Sequence, residues 1–189
     1  EEDRKKYIDI IKTNNELLLR LINDILDLSK IESDTIKINT DPVFIDQLMV
    51  EIYRITSMRM PDGVKLIVET PRSDLWLNTD KSRLLQIMNN LLNNAIRSTT
   101  EGQISFGYEL ESGYVKFYVK DTGVGIPEDK LESVFDRFVK LNTTQNGFGL
   151  GLTITKGLVK KMGGEVWATS QVGEGSAFYF TLPLDVVPQ

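Results

Sequence analysis

From Tyr7 to Leu28 apolar residues recur at Tyr7, Ile11, Leu18, Leu21, Ile25 and Leu28, with Asn14 in register. This 4-3 alternation over about three heptads predicts a long helix with an apolar seam. Ile8, Ile10, Leu17, Ile22 and Leu26 widen the seam beyond what a two-stranded coil buries. A four-helix bundle is therefore the expected setting, with a helix capping its own domain as the alternative. Asn14 on the seam lowers stability and helps fix register. The helical period ends around Ile31-Glu32-Ser33-Asp34, which places a boundary between a partial bundle domain, 1–33, and a second domain, 34–189.

The second domain switches between periods. Phe44 to Met60 follows a helical period and stops at Pro61-Asp62-Gly63, while Val64 to Glu69 and Leu75 to Leu77 are predicted strands. Thr79 or Asp80 can cap a helix running to about Arg97. Ile104, Phe106, Tyr108 and Leu110 alternate with small or polar residues, as do Val115, Phe117 and Val119, which predicts a hairpin with one buried face. Further helices are expected from Glu128 to about Phe138 and from Gly149 to Met162. Two strands, Glu165 to Ser170 and Ala177 to Leu184, close the chain around Gly173-Glu174-Gly175. The predicted fold class is α/β, of the α+β two-layer kind. It has a mixed, largely antiparallel sheet of about five strands with helices on one face, preceded by one long bundle-forming helix.

The chain has 189 residues, 41% of them hydrophobic, enough for a real core. It shows no secretory core and no apolar run near about twenty residues, so no segment of it is expected to cross a membrane. Cysteine is absent, which removes disulfides and zinc knuckles and suits a reducing compartment. A formal net charge of −5 disfavours nucleic acid as a partner, so any phosphate must be met by local donors. Histidine is absent as well.

Three motifs carry the chemistry. In Asn90-Leu91-Leu92-Asn93-Asn94, Asn90 and Asn94 lie one helical turn apart and share a face, while the leucines face the core. A neutral amide oxygen suits a magnesium ion that takes its other ligands from phosphates and water; a solvated helix face is the plain alternative. Asp121-Thr122-Gly123-Val124-Gly125-Ile126-Pro127 puts a carboxylate at a strand end, able to accept from an adenine amino group, with glycines that let a base approach the backbone. Alone, such a run is an ordinary glycine-rich turn. Gly147-Phe148-Gly149-Leu150-Gly151-Leu152 opens a helix, where free N–H groups and the helix dipole favour a triphosphate. It lacks the Lys-Ser/Thr ending of a P-loop and does not follow a strand as a dinucleotide fingerprint does.

In order and spacing, Asn94, Asp121-x-Gly123-x-Gly125, Phe135-x-x-Phe138 and Gly147-x-Gly149-x-Gly151 resemble the N box, glycine boxes and F box of the catalytic ATP-binding domain of sensor histidine kinases, a GHKL-type fold. The resemblance extends through Gly163-Gly164-Glu165 and Gly173-x-Gly175-Ser176 to Phe180-x-Leu182-Pro183. Asn14-Asn15-Glu16-Leu17 through Asn23-Asp24-Ile25-Leu26-Asp27-Leu28-Ser29-Lys30-Ile31-Glu32 is similar to the second helix of the dimerisation and phosphotransfer bundle, in wording close to the hybrid two-component kinases of Bacteroides-type bacteria.

The resemblance implies ATP and Mg2+ as cofactors, with Asn94 holding the metal, Asn90 and Arg97 lining the phosphate side and Asp121 contacting adenine. It further implies Gly123, Gly125, Ile126, Phe138, Gly147, Gly149, Leu150, Gly151 and Leu152 around the nucleotide, Lys140 as a basic residue near the phosphates, and Val139 to Asn146 as a mobile lid. The implied partners are a second copy through the bundle and a response regulator or receiver domain, and the implied setting is the cytoplasmic portion of a membrane-anchored sensor kinase.

Two departures bear on this. Where the family continues Asn-Ala-x-Lys-Phe/Tyr-Thr, the chain has Asn94-Ala95-Ile96-Arg97-Ser98-Thr99, trading a point ammonium for a planar fork and an aromatic for a hydroxyl. The phosphoacceptor histidine is missing, so no catalytic residue is assigned, and the acceptor is expected on a first bundle helix preceding Glu1. ATPases of the same superfamily place a glutamate one turn before the metal asparagine, where this chain has Asn90, which cannot serve as a general base. A serine kinase of the anti-sigma type and a nucleotide-sensing dimerisation module remain as alternatives.

Overall fold

A computed structural model describes residues 2–71, 74–139 and 148–185. The chain divides into two compact units, Glu1–Ile36 and Lys37–Gln189.

The first unit is the helix α1 (Glu2–Glu32) with a short tail folded onto its last turn, where Thr35 N–H bonds the Lys30 carbonyl at 2.9 Å. Tyr7, Ile8, Ile11, Leu18, Leu19, Ile22, Ile25 and Leu26 are all exposed along it. A helix of this apolar content, with its seam open to solvent, needs a partner to bury it.

The second unit begins with β1 (Asp41–Phe44), α2 (Ile45–Ser57), β2 (Val64–Glu69), β3 (Trp76–Thr79) and α3 (Lys81–Ser98). The hairpin of β4 (Gly102–Glu111) and β5 (Tyr114–Asp121) follows, then α4 (Gly151–Lys161), β6 (Val166–Gln171) and β7 (Gly175–Pro183). The main sheet has five strands in the order β2-β4-β5-β7-β6. Its β2–β4 pairing is parallel and the others are antiparallel, which makes the sheet mixed and largely antiparallel, as the sequence predicts. Leu84, Ile87, Met88, Leu91 and Leu92 of α3 are fully buried, as are Ile104, Phe106, Val115, Phe117 and Phe180 of the sheet; α2 lies beside β2, α3 across β5, and α4 across β6 and β7. Phe117 stacks on Phe180 across the strand pair, centroids 4.9 Å apart.

The far face of the hairpin is less bare than simple alternation implies. Tyr118 is only 4% exposed. Its hydroxyl donates to Glu69 at 2.7 Å, Lys120 lies 4.2 Å over its ring, and Gly107 opposite leaves the room.

Other elements depart from expectation. Asp41–Phe44 pairs with β3 in a separate two-stranded sheet, with Phe44 stacked on Trp76, so the helix after it starts at Ile45 and not Phe44. The helix expected from Glu128 to Phe138 is two 3-10 turns, Glu128–Lys130 and Ser133–Phe135. Asp136 is extended and Phe138 takes φ 61°, which ends any helix there, while Val134 and Phe135 still reach the core. The next helix begins at Gly151, because Gly149 adopts φ 70° and Leu150 serves as the cap.

Candidate functional site

The site is organised by α3. Asp80 caps its N-terminus, taking N–H bonds from Arg83 at 3.1 Å and Asn39 at 2.9 Å and a hydroxyl bond from Ser82 at 2.8 Å. Burial pushes the Asp80 carboxyl up, but these donors outweigh it and hold the group below its ordinary value. So anchored, α3 carries Asn90, Asn94 and Ser98 at one-turn intervals, and Asn90 and Ser98 reach the two glycine motifs.

Asn90 meets the second of these motifs. Its amide nitrogen donates to the Gly151 carbonyl at 3.1 Å and stands 3.4 Å from the Thr155 hydroxyl, tying α3 to the first turn of α4. Asn94, one turn on, is half-buried, and its side chain has no hydrogen-bond partner among the described residues. Arg97 is exposed in the last turn.

Ser98 meets the first motif. Its hydroxyl lies 3.1 Å from the Asn94 carbonyl, 3.0 Å from that of Ala95 and also beside the Asp121 carboxylate, so its one proton can serve only one of them at a time. The Ser98 carbonyl accepts the Val124 N–H at 3.2 Å. Asp121 itself is 7% exposed and accepts N–H bonds from Gly123, at 2.9 Å, and from Ser176. Burial dominates, and its carboxyl is raised above the usual range despite these donors.

Three of the motif glycines are explained by neighbours within the protein. A side chain at Gly123 would run into the Ser98 carbonyl, and one at Gly125, where φ is 72°, into the Gln171 carbonyl. Gly149 packs against the backbone of Phe138, whose N–H donates to the Gly149 carbonyl at 3.0 Å. Ile126 is 5% and Leu150 1% exposed, Leu152 is half-buried, and Phe138 is exposed. Among the described residues no side chain caps α4 and no acid lies in its first turn, an arrangement of leading N–H groups that suits an anion. Lys140, Gly147 and the lid stretch after Val139 lie outside the described residues.

The structure thus joins Asn90 to Gly151 and Ser98 to Asp121. The sequence reading did not anticipate Ser170, which bonds Ile126, or Thr155 beside Asn90. The Gly173-x-Gly175-Ser176 signature was the available hint of the first.

A helix bearing paired asparagines, a buried aspartate at a strand end and an uncapped glycine-led helix define a GHKL nucleotide fold. The chain belongs to the histidine kinase-, DNA gyrase B- and HSP90-like ATPase family, whose profile matches residues 79–186. Among its relatives are sensor histidine kinases. The sensor histidine kinase WalK of Bacillus subtilis is 33% identical over 185 residues, 94% of this chain and 30% of that protein. The autoinducer 2 sensor kinase/phosphatase LuxQ of Vibrio vulnificus is 37% identical over 198 residues, 98% of this chain and 23% of that protein. The crystal structure of full-length ShkA, in complex with AMPPNP, superposes with a TM-score of 0.86 at 28% identity over 98% of this chain and 40% of that one. The chain therefore spans less than a third of the length of these two curated relatives.

Proposed function

We propose that the second unit binds Mg-ATP and acts as the kinase core of a two-component sensor histidine kinase, transferring the γ-phosphoryl group to a histidine outside this sequence for relay to an aspartate of a response regulator. The observation that carries the reading is the double attachment of α3, through Asn90 to Gly151 and through Ser98 to the Asp121 loop, which brings the three motifs to one place.

Asp121 accepts the adenine amino group. The first turn of α4 receives the phosphates, with Arg97 at the rim. Asn94 fits magnesium: its amide oxygen is hard and neutral, and it lacks a partner among the described residues. No cluster of three or more His, Cys, Asp or Glu able to hold a metal occurs among the described residues, so the ion must share its ligands with the nucleotide. When bound it neutralises phosphate charge. The protein's share of phosphoryl transfer is positioning and electrostatics, which the fixed amides and bare helix end supply. Asn90 has its nitrogen engaged at Gly151 and cannot deprotonate water, which favours transfer over hydrolysis.

The chain contains no histidine, so the acceptor comes from elsewhere. The open seam of α1 suits a bundle with a second copy, and in that setting α1 is its second helix. No helix among the described residues is long and apolar enough to cross a membrane. We place the chain in the cytoplasmic portion of a membrane-anchored sensor.

The test mixes this chain with a bundle carrying a phosphoacceptor histidine and labelled ATP. Acid-labile, base-stable label on the bundle, lost with Asn94→Ala, is the expected result. Rapid ATP hydrolysis by the chain alone, with no label on the bundle, would show an ATPase.

A further inference from the structure

We propose that the β6–β7 turn is the positioning element for base recognition, and that it acts through Ser170. The inference rests on the nucleotide reading above.

The segment Asp121 to Ile126 leaves β5 as irregular backbone, and its polar groups need partners that no ladder supplies. The Thr122 N–H goes to the Gln103 carbonyl and the Val124 N–H to that of Ser98, and the remaining partners outside the segment lie on one hairpin. Ser170 of β6 and Ser176 of β7 are cross-strand partners. Ser176 is also the ladder partner of Asp121 across β5 and β7, with its backbone N–H turned toward the Asp121 carboxylate, at the start of the segment. The Ser170 hydroxyl accepts the N–H of Ile126, at its end, at 2.7 Å. A single pair of serines therefore pins both ends of the loop that would meet the base.

Ser170 has no capacity left over. Its proton goes to the Gly175 carbonyl at 2.6 Å, so the Ser176 hydroxyl, 3.0 Å away, donates to Ser170. Between the pinned ends the fit is backbone on backbone. Gly173 N–H donates to the Val124 carbonyl at 2.9 Å, Gly125 lies against the Gln171 carbonyl, and Gly175 lies against that of Asp121. Gln171 and Glu174 close the turn with a 2.7 Å side-chain bond. Removing the Ser170 hydroxyl leaves the Ile126 N–H and the Gly175 carbonyl without their shared partner, and frees the far end of the loop while its near end stays on Ser176. The predicted consequence is a loop no longer held in the geometry in which its backbone and Asp121 meet the base together, because a site pays less for binding when its supporting contacts already hold it in the bound geometry.

The measurement is calorimetric titration of ADP and of GDP, at fixed magnesium, into the wild-type chain, Ser170→Ala and Ser170→Thr. Wild type should prefer ADP. Ser170→Ala should lose about fivefold in ADP affinity with weak GDP binding unchanged, so that the preference shrinks, and Ser170→Thr, which keeps a hydroxyl, should regain it. A Ser170→Ala chain that melts lower yet keeps the wild-type ADP affinity and ADP/GDP ratio overturns the inference and leaves a structural serine. A second arm needs no variant. Amide exchange at Gly123 and Ile126 in the wild-type chain should slow together when ADP is added, and protection of Gly123 without Ile126 overturns the inference too. A wild-type chain that binds neither nucleotide overturns the nucleotide reading itself.

Discussion

At the Asp121 end of the site, Asp121, Gly125 and Ile126 are each held by a neighbouring strand or turn. At the Asn94 and Gly151 end, Asn94 has no side-chain partner among the described residues and α4 starts without a capping side chain. On the proposed nucleotide reading, the difference follows from what each end has to meet. A base is distinguished by the direction of a few hydrogen bonds, which calls for an acceptor fixed before binding. A metal-bound phosphate chain is charged and mobile, and it is met by groups left unsatisfied until it arrives. The two ends of α3 and α4 make the same point: α3 begins at a carboxylate that already occupies its N-terminus, whereas α4 begins bare.

The comparison breaks most visibly at Asp121. Asp121→Asn puts donors where the carboxylate accepts, so ADP and AMP-PNP should both bind roughly 30- to 100-fold more weakly by calorimetry. Equal affinity in mutant and wild type would place base recognition elsewhere. Asn94→Ala tests the other end with a different signature: about a tenfold loss for AMP-PNP in magnesium, and little change for ADP in chelator. A loss that ignores magnesium would remove Asn94 as the metal's ligand. The third effect concerns stability alone. Asp80→Ala uncaps α3 and should cost about 1 kcal/mol in denaturant unfolding at neutral pH. Because the folded state lowers the Asp80 carboxyl, its contribution is present above the ordinary aspartate range and is lost as pH falls through the lowered value. The gap between wild type and Asp80→Ala should therefore close in strong acid, and a gap that persists there would assign the cap's worth to something other than its charge.

The legibility of these regions in the sequence follows the range of the forces that build them. The apolar faces of α3 and the alternation of β4 and β5 are set by neighbours two to four positions away, and they are read directly from the chain. The cap of α3 is legible as one of two neighbouring residues, Thr79 or Asp80, and the structure gives it to Asp80. The Asp41–Phe44 strand was not, because four residues containing a proline declare no period and acquire their pairing from β3, more than thirty positions on. The sequence predicts one helix where the structure has 3-10 turns between Glu128 and Phe135, because their composition suits either, and the left-handed Phe138 that ends them is a tertiary fact. At the site, the motif residues were legible as chemistry, and the structure shows Asn90 on Gly151 and Ser98 beside Asp121. Ser170 was not, since a serine in an alternating strand carries no mark of the loop it holds.

The smallest expected effect sharpens the contrast by pH. Burial raises the Asp121 carboxyl above the ordinary aspartate value, and the N–H groups of Gly123 and Ser176 only partly offset it. An adenine amino group can donate to the carboxylate but not to a proton already on it, so binding favours the ionised form. Nucleotide affinity must then fall as pH descends toward the raised value, and the fall must begin at a higher pH than for an exposed aspartate. The expected result is a modest weakening of ADP binding between neutral and mildly acidic buffer in the wild-type chain, and a flat profile in Asp121→Asn over the same range. The folding equilibrium supplies the matching sign. A carboxyl raised in the folded state binds its proton more readily there than in the unfolded chain, so its ionisation lowers stability as pH rises past the unfolded value, until the folded value is passed. Asp121→Asn should accordingly be no less stable than wild type at neutral pH even while it loses nucleotide. A mutant that unfolds more easily at neutral pH than in mild acid, relative to wild type, would show that the carboxylate serves the fold before it serves the base.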